Sequence, residues 1–150
     1  MGQQQLLLLV LATVIVGLAT VAGIQAFDEG QATATQDALV QRGLDIGNKV
    51  LAAHEKPTQF GGTDLSDSEE GTGDIATAAG FDTDSGIAAD GAGENAACDI
   101  TSTDQSGDNG TATINCGSTG AESGDQQVTI TVNPDADDPL TASVDDTSGS

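Results

Sequence analysis

Cys98 and Cys116 are the only cysteines in a chain of 150 residues, and they stand symmetrically about Gly107. A hairpin turning at Gly107-Asp108-Asn109-Gly110 sets the two thiols opposite each other, where they can oxidise to a disulfide. The alternative is two unrelated free thiols. Closing a loop of about 19 residues stabilises a fold by roughly 3 kcal/mol in the chain-entropy description. Other chemistry-bearing residues are sparse. Asp82-Thr83-Asp84-Ser85-Gly86 and Asp135-Ala136-Asp137-Asp138 offer oxygen ligands, but neither has EF-hand spacing with a Glu at the twelfth position, so they read as solvated acidic loops. Asn109-Gly110-Thr111 is an N-glycosylation sequon on an expected turn tip, which makes Asn109 a candidate modification site. His54 is the sole histidine. It supports neither a Ser/His/Asp constellation nor a zinc site of His and Cys ligands. The chain is expected to be no enzyme, to hold no metal and to need no cofactor.

The charge restricts function further. Twenty-four acids face three bases, for a net charge of −21, and there is no Trp, no Tyr and only three Phe. Such a surface does not meet nucleic-acid phosphates, and a small-molecule pocket usually needs more aromatic and large apolar lining. The charge is also unevenly placed. Residues 1–27 have no ionisable side chain, residues 28–56 hold five acids and all three bases, and residues 57–150 hold nineteen acids and no base.

These compositions mark four segments. Residues 1–27 form an apolar helix. Leu6 to Phe27 alone spans roughly 33 Å at helical rise, enough to cross a hydrocarbon core of about 30 Å. A cleaved signal peptide fits less well, because a basic n-region is missing and the apolar run is long. Thr13 and Gly17, and again Ala19 and Gly23, are small-xxx-small pairs that let helix backbones approach closely, so this helix is expected to pack on other helices.

Residues 28–56 continue the helix as an amphipathic stretch to about residue 55. Leu39, Ile46 and Val50 form one apolar row beside Val40, Leu44, Gly47 and Leu51, and Pro57 ends the run. Asp45 and Lys49 stand in the favourable i, i+4 order. Several glycines, Gly43 and Gly47 among them, weaken a helix by up to ~1 kcal/mol each, and Gly30 is the expected kink.

Residues 57–97 read as a Gly/Asp-rich surface connection with a short helical turn near Ile87. Residues 98–150 alternate apolar with polar residues in four runs, 98–101, 111–116, 127–132 and 140–144, as a half-buried antiparallel sheet requires. The expected fold class is therefore α+β: a long N-terminal helix over about residues 3–55, with a small disulfide-stapled antiparallel head packed on its second half through Leu39, Ile46 and Val50. An apolar, membrane-crossing segment upstream of paired cysteines points to an extracytoplasmic head.

The charge-free start Met1-Gly2-Gln3-Gln4-Gln5-Leu6-Leu7-Leu8-Leu9-Val10, the continuous helix after it, the long loop, the small sheet and the C-terminal disulfide together resemble the type IV pilin family. The layout corresponds over the whole chain, whereas the sequence likeness lies in that start and the helix that follows. The resemblance implies a leader trimmed by a prepilin peptidase and a filament core in which Leu6, Leu9, Thr13, Gly17, Ala19 and Gly23 pack against neighbouring helices. Family members often begin with Phe or Met and carry Glu at the fifth residue. Met1 and Gln5 take those places here, unless processing follows Gly2. Gln5 can accept a hydrogen bond from a neighbour's terminal amine but cannot form an ion pair with it.

The resemblance implies a structural homopolymer: an extracellular pilus whose subunits wait in the cytoplasmic membrane and are assembled by a dedicated machinery. Its acidic surface suits a halophilic prokaryote, and its roles would be adhesion, motility or surface attachment. The alternatives are a pseudopilin or minor pilin of a secretion or adhesion machine, and a monomeric membrane-anchored acidic domain.

Overall fold

A computed structural model describes residues 2–67, 69–104, 110–121 and 126–146, without the side chains of 102–104, 126 and 146. Helix α1 runs over Gly2–His54, a turn of 3-10 helix over Thr58–Phe60, and helix α2 over Thr72–Ala78. Five strands follow: β1 (Ile87–Ala88), β2 (Ala97–Asp104), β3 (Thr111–Gly117), β4 (Gln126–Val132) and β5 (Leu140–Asp146). They form one antiparallel sheet in the order β1-β2-β3-β4-β5. The fold is α+β, a long N-terminal helix with an antiparallel sheet packed against it.

The chain divides into two compact units, Met1–Thr33 and Ala34–Ser150. The first is helix alone. Helix α1 runs on through Gly30.

In the second unit, helix and sheet share one core. The buried residues of α1 are Leu39, Gly43, Ile46, Gly47, Val50 and Ala53, a single stripe at helical spacing. The opposing face of the sheet follows from strict alternation. Ala112, Ile114 and Cys116 of β3 are buried, as are Val128, Ile130 and Val132 of β4. Register sets Ile114 beside Ile130 and Cys116 beside Val128, and β-branched side chains dominate this pleated surface.

The other face carries hydroxyls and amides. The Asn115 side-chain amide donates its Nδ2 to the Thr101 hydroxyl at 3.2 Å, and the Thr129 hydroxyl donates to Asn115 Oδ1 at 3.0 Å. Thr101 is the extra residue of a bulge, between the pairs Ile100–Ile114 and Ser102–Thr113.

Gly43 and Gly47 have a packing reason that helix propensity does not reveal. A Cβ on Gly43 would lie 2.6 Å from Ile130 Cγ1, and one on Gly47 would lie 2.7 Å from Leu140 Cδ2. A side chain at Gly43 would force Ile130 or the helix to shift, and one at Gly47 would have to displace the Leu140 methyl. The close approach outweighs the propensity cost of about 1 kcal/mol per glycine.

Two expectations for residues 57–97 are corrected. The segment does not simply cross the surface, because Leu65, Ile75, Ala76, Ala89, Ala92 and Ala96 belong to the core cluster. Nor is there a helical turn at Ile87. That residue pairs with Cys98, and Ala88 pairs with Ala97, so a two-residue strand covers the edge of β2. The helical turn lies instead at α2, where the Asp74 carboxylate reaches back to accept the Gly71 N–H at 3.1 Å.

Candidate assembly surface

In the first unit the apolar residues are displayed, not packed. Every large hydrophobic side chain from Leu6 to Phe27 is more than half exposed, from 51% at Leu11 to 70% at Leu7. Leu6 and Leu9 are among them, at 66% and 64%. This part of α1 is long and apolar enough to cross a membrane.

The sequence pattern produces that surface in two ways. Leucines, β-branched Val and Ile, and small residues surround the helix, so no polar stripe interrupts it. The hydroxyls that do occur turn inward along the backbone. Thr13 Oγ1 donates to the Val10 carbonyl at 2.8 Å, and Thr20 Oγ1 donates to the Gly17 carbonyl at 2.8 Å. Each hydroxyl is thereby satisfied within its own helix. A Cβ on Gly17 or Gly23 would meet nothing within 4 Å. Neither glycine is explained by contacts inside the chain, and Ala19 is exposed between them. Gly2 opens α1 and Gln5 is exposed on it, while Met1 lies outside the described residues.

In the second unit the structure places the other singled-out residues as follows. Leu39, Ile46 and Val50 are fully buried in the core cluster. Cys98 and Cys116 are disulfide-bonded, with Cα atoms 4.0 Å apart, and both are fully buried. The bridge lies directly under α1: a Cβ on Gly43 would sit 3.4 Å from Cys116 Sγ. Asn109 and residues 105–108 lie outside the described residues.

The polar groups singled out in the sequence bind the scaffold together. The Asp84 carboxylate accepts a hydrogen bond from the Thr72 hydroxyl, and its backbone carbonyl accepts the Ile100 N–H at 2.7 Å. Asn133 Oδ1 accepts the Asp135 N–H at 3.1 Å in the β4–β5 connection, where Asp135, Asp137 and Asp138 are exposed. His54 Nδ1 accepts the Leu65 N–H at 3.5 Å. Asp64 nearby is held below the ordinary aspartate value of 3.8. The Ser66 hydroxyl is the main cause, followed by the Ser66 N–H, with the His54 imidazole adding attraction. Among the described residues, no three His, Cys, Asp or Glu side chains converge as metal ligands.

Two of the three bases are also committed locally. Arg42 and Lys49 both pair with Asp45, at 2.9 and 3.1 Å, and both lie over the Phe81 ring. Arg42 Nε further donates to the Ala88 carbonyl at 2.9 Å, tying β1 to the helix. The Asp45–Lys49 spacing was visible in the sequence. The Phe81 and Ala88 contacts were not, because nothing local links residues 42 and 88.

The chemistry the molecule presents is therefore an uncovered apolar helix surface in the first unit and, in the second, an acidic surface whose described polar side chains brace the scaffold. Compared with models of protein families, with curated proteins and with solved structures, the chain matches none.

Proposed function

We propose that this chain is the structural subunit of an extracellular type IV pilus-like filament. One observation carries the reading: 22 residues, Leu6 to Phe27, display their large apolar side chains on a helix whose hydroxyls are already satisfied. Such a surface needs either lipid or other helices around it. The open backbone at Gly17 and Gly23 favours helices, because small residues gain contact only when another backbone comes close.

Before assembly the helix resides in the cytoplasmic membrane. A prepilin peptidase and the pilus machinery then transfer it into a bundle of identical helices with the acidic heads outward. The partner is the chain itself, through a heterologous contact that repeats without closing. Nineteen acids and no base after residue 56 suit a concentrated-salt setting, where counter-ions screen neighbouring heads within about 3 Å at 1 M ionic strength.

Electron microscopy of material sheared from the cell surface tests this. Filaments with this chain as the dominant component are expected; its absence from every filament overturns the proposal. The other readings, a minor pilin or pseudopilin and a monomeric membrane-anchored domain, predict respectively a trace component and no filament.

A further inference from the structure

Two exposed aromatics remain without a role inside the chain. Phe60 is 81% exposed on the 3-10 turn that follows α1. The turn displaying it is tightly braced. The Phe60 and Gly62 N–H groups both donate to the Pro57 carbonyl, at 2.9 and 3.2 Å, and the Gly61 N–H donates to the Thr58 carbonyl at 3.1 Å. Gly61 adopts a left-handed φ of 79°, and Thr63, almost fully buried, returns the chain by donating its N–H to the Ala53 carbonyl at 3.2 Å. A large aromatic held out to water on a rigid turn loses little conformational freedom when a partner covers it.

The same turn carries Lys56, the remaining base. It is exposed, and among the described residues it makes no ion pair, whereas Arg42 and Lys49 are bound to Asp45. Residues 57–63 bear no charge at all. Lys56, which follows the exposed Glu55, and Phe60 therefore present a cation and an aromatic ring on a predominantly acidic head. A matching pair exists at the end of the apolar segment. Phe27 is 66% exposed, and Asp28 and Glu29, the first acids in the sequence, are exposed beside it with no ion pair among the described residues. Phe60 and Phe27 are both exposed, each within its own unit.

Resting on the filament reading above, we propose that Lys56 and Phe60 of one copy dock onto Phe27, Asp28 and Glu29 of a second copy. The aromatic rings supply the buried area and the charges set the register. Because knob and seat are different surfaces of the same chain, the contact propagates instead of closing into a pair.

The test replaces Phe60 in the full-length chain with the photo-crosslinking analogue benzoyl-phenylalanine and irradiates cells. Covalent dimers in which residue 60 is joined to the segment around Phe27 are expected. Crosslinks to lipid alone, or to any other segment, overturn the proposal. A charge exchange gives a second readout. Lys56→Glu should lower filament yield about tenfold, a typical loss for a hot-spot contact. Adding Asp28→Lys and Glu29→Lys should restore it. An undiminished yield, or no restoration, overturns the inference while leaving the filament reading intact. If the unaltered chain forms no filament, both fail together. Phe60→Ser should leave the disulfide and the circular-dichroism spectrum unchanged, since that side chain has no place in the core cluster.

Discussion

At the scale of single residues, glycine gives the sharpest contrast. A Cβ at Gly30 would meet open space, whereas one at Gly43 would press on Ile130 Cγ1 at 2.6 Å. The same substitution should therefore have opposite signs. Gly30→Ala is expected to stabilise the helix around it by about 0.5–1 kcal/mol, seen as slower amide exchange over residues 28–33. Gly43→Ala gains the same propensity and still loses overall, because overpacking costs about 1–3 kcal/mol. Urea titration of the head should show that loss. In the sequence both glycines read as weak points of the helix, with Gly30 the expected kink, since the Ile130 contact lies 87 positions from Gly43 along the chain.

Asp64 makes a second residue-scale prediction. Its folded pKa is lowered by the two Ser66 donors and by His54. A depressed acid contributes stability that is complete above its ordinary value of 3.8 and is lost as pH falls through the lower folded value. Comparing urea midpoints at about pH 5 and about pH 2.5, the unaltered chain should lose more than Asp64→Asn does. Equal losses would show that Ser66 does not hold the carboxylate charged.

At the scale of elements, α1 and the sheet share one core, and its parts differ in weight. Ile46 is fully buried between helix and sheet, so Ile46→Ala should cost about 2–5 kcal/mol. Val144 lies on the edge strand β5 and remains 42% exposed, so Val144→Ala should cost well under about 1 kcal/mol. Chemical denaturation monitored by circular dichroism separates the two, and similar losses would mean that β5 is covered by something else. Reducing the disulfide should cost roughly 3 kcal/mol by opening a loop with a sequence separation of 18.

Much of this arrangement was legible from pattern. The apolar row at Leu39, Ile46 and Val50, the alternation in Val128-Thr129-Ile130-Thr131-Val132 and the placing of the cysteines all follow local rules. What escaped were elements too short for any period to register. Ile87 and Ala88 form a strand only because the edge of β2 is there to pair with. Seven residues of α2 sit in a Gly/Asp-rich stretch whose composition suggests a loop. The displayed surface of the first unit was legible as apolar composition. The candidate knob at Phe60 was not, because exposure of a lone aromatic is a property of the folded turn.

At the scale of the whole molecule, the governing quantity is charge segregation: an uncharged start, a nearly balanced middle and nineteen acids beyond residue 56. A filament built from such subunits repeats that acidic surface at every step. Its resistance to shear should fall as ionic strength drops from about 1 M to about 0.01 M, over which the screening length grows from about 3 to 30 Å. Sedimentation of filaments after stepwise dilution into low-salt buffer measures this, and filaments indifferent to salt would contradict the screening account.

The meander order of the sheet has a consequence for how the head comes into being. Each strand is paired with the one made just before it, and the disulfide joins the β2–β3 hairpin alone. That hairpin is complete in covalent terms once Gly117 has been added, before any residue of β4 exists. Oxidation thus requires no later strand to be present. The remaining strands can be laid down one by one on a template already locked by a covalent bond, and short loop closures of this kind are the fast ones. A newly made head therefore need not wait for its own last residue to begin acquiring its final form.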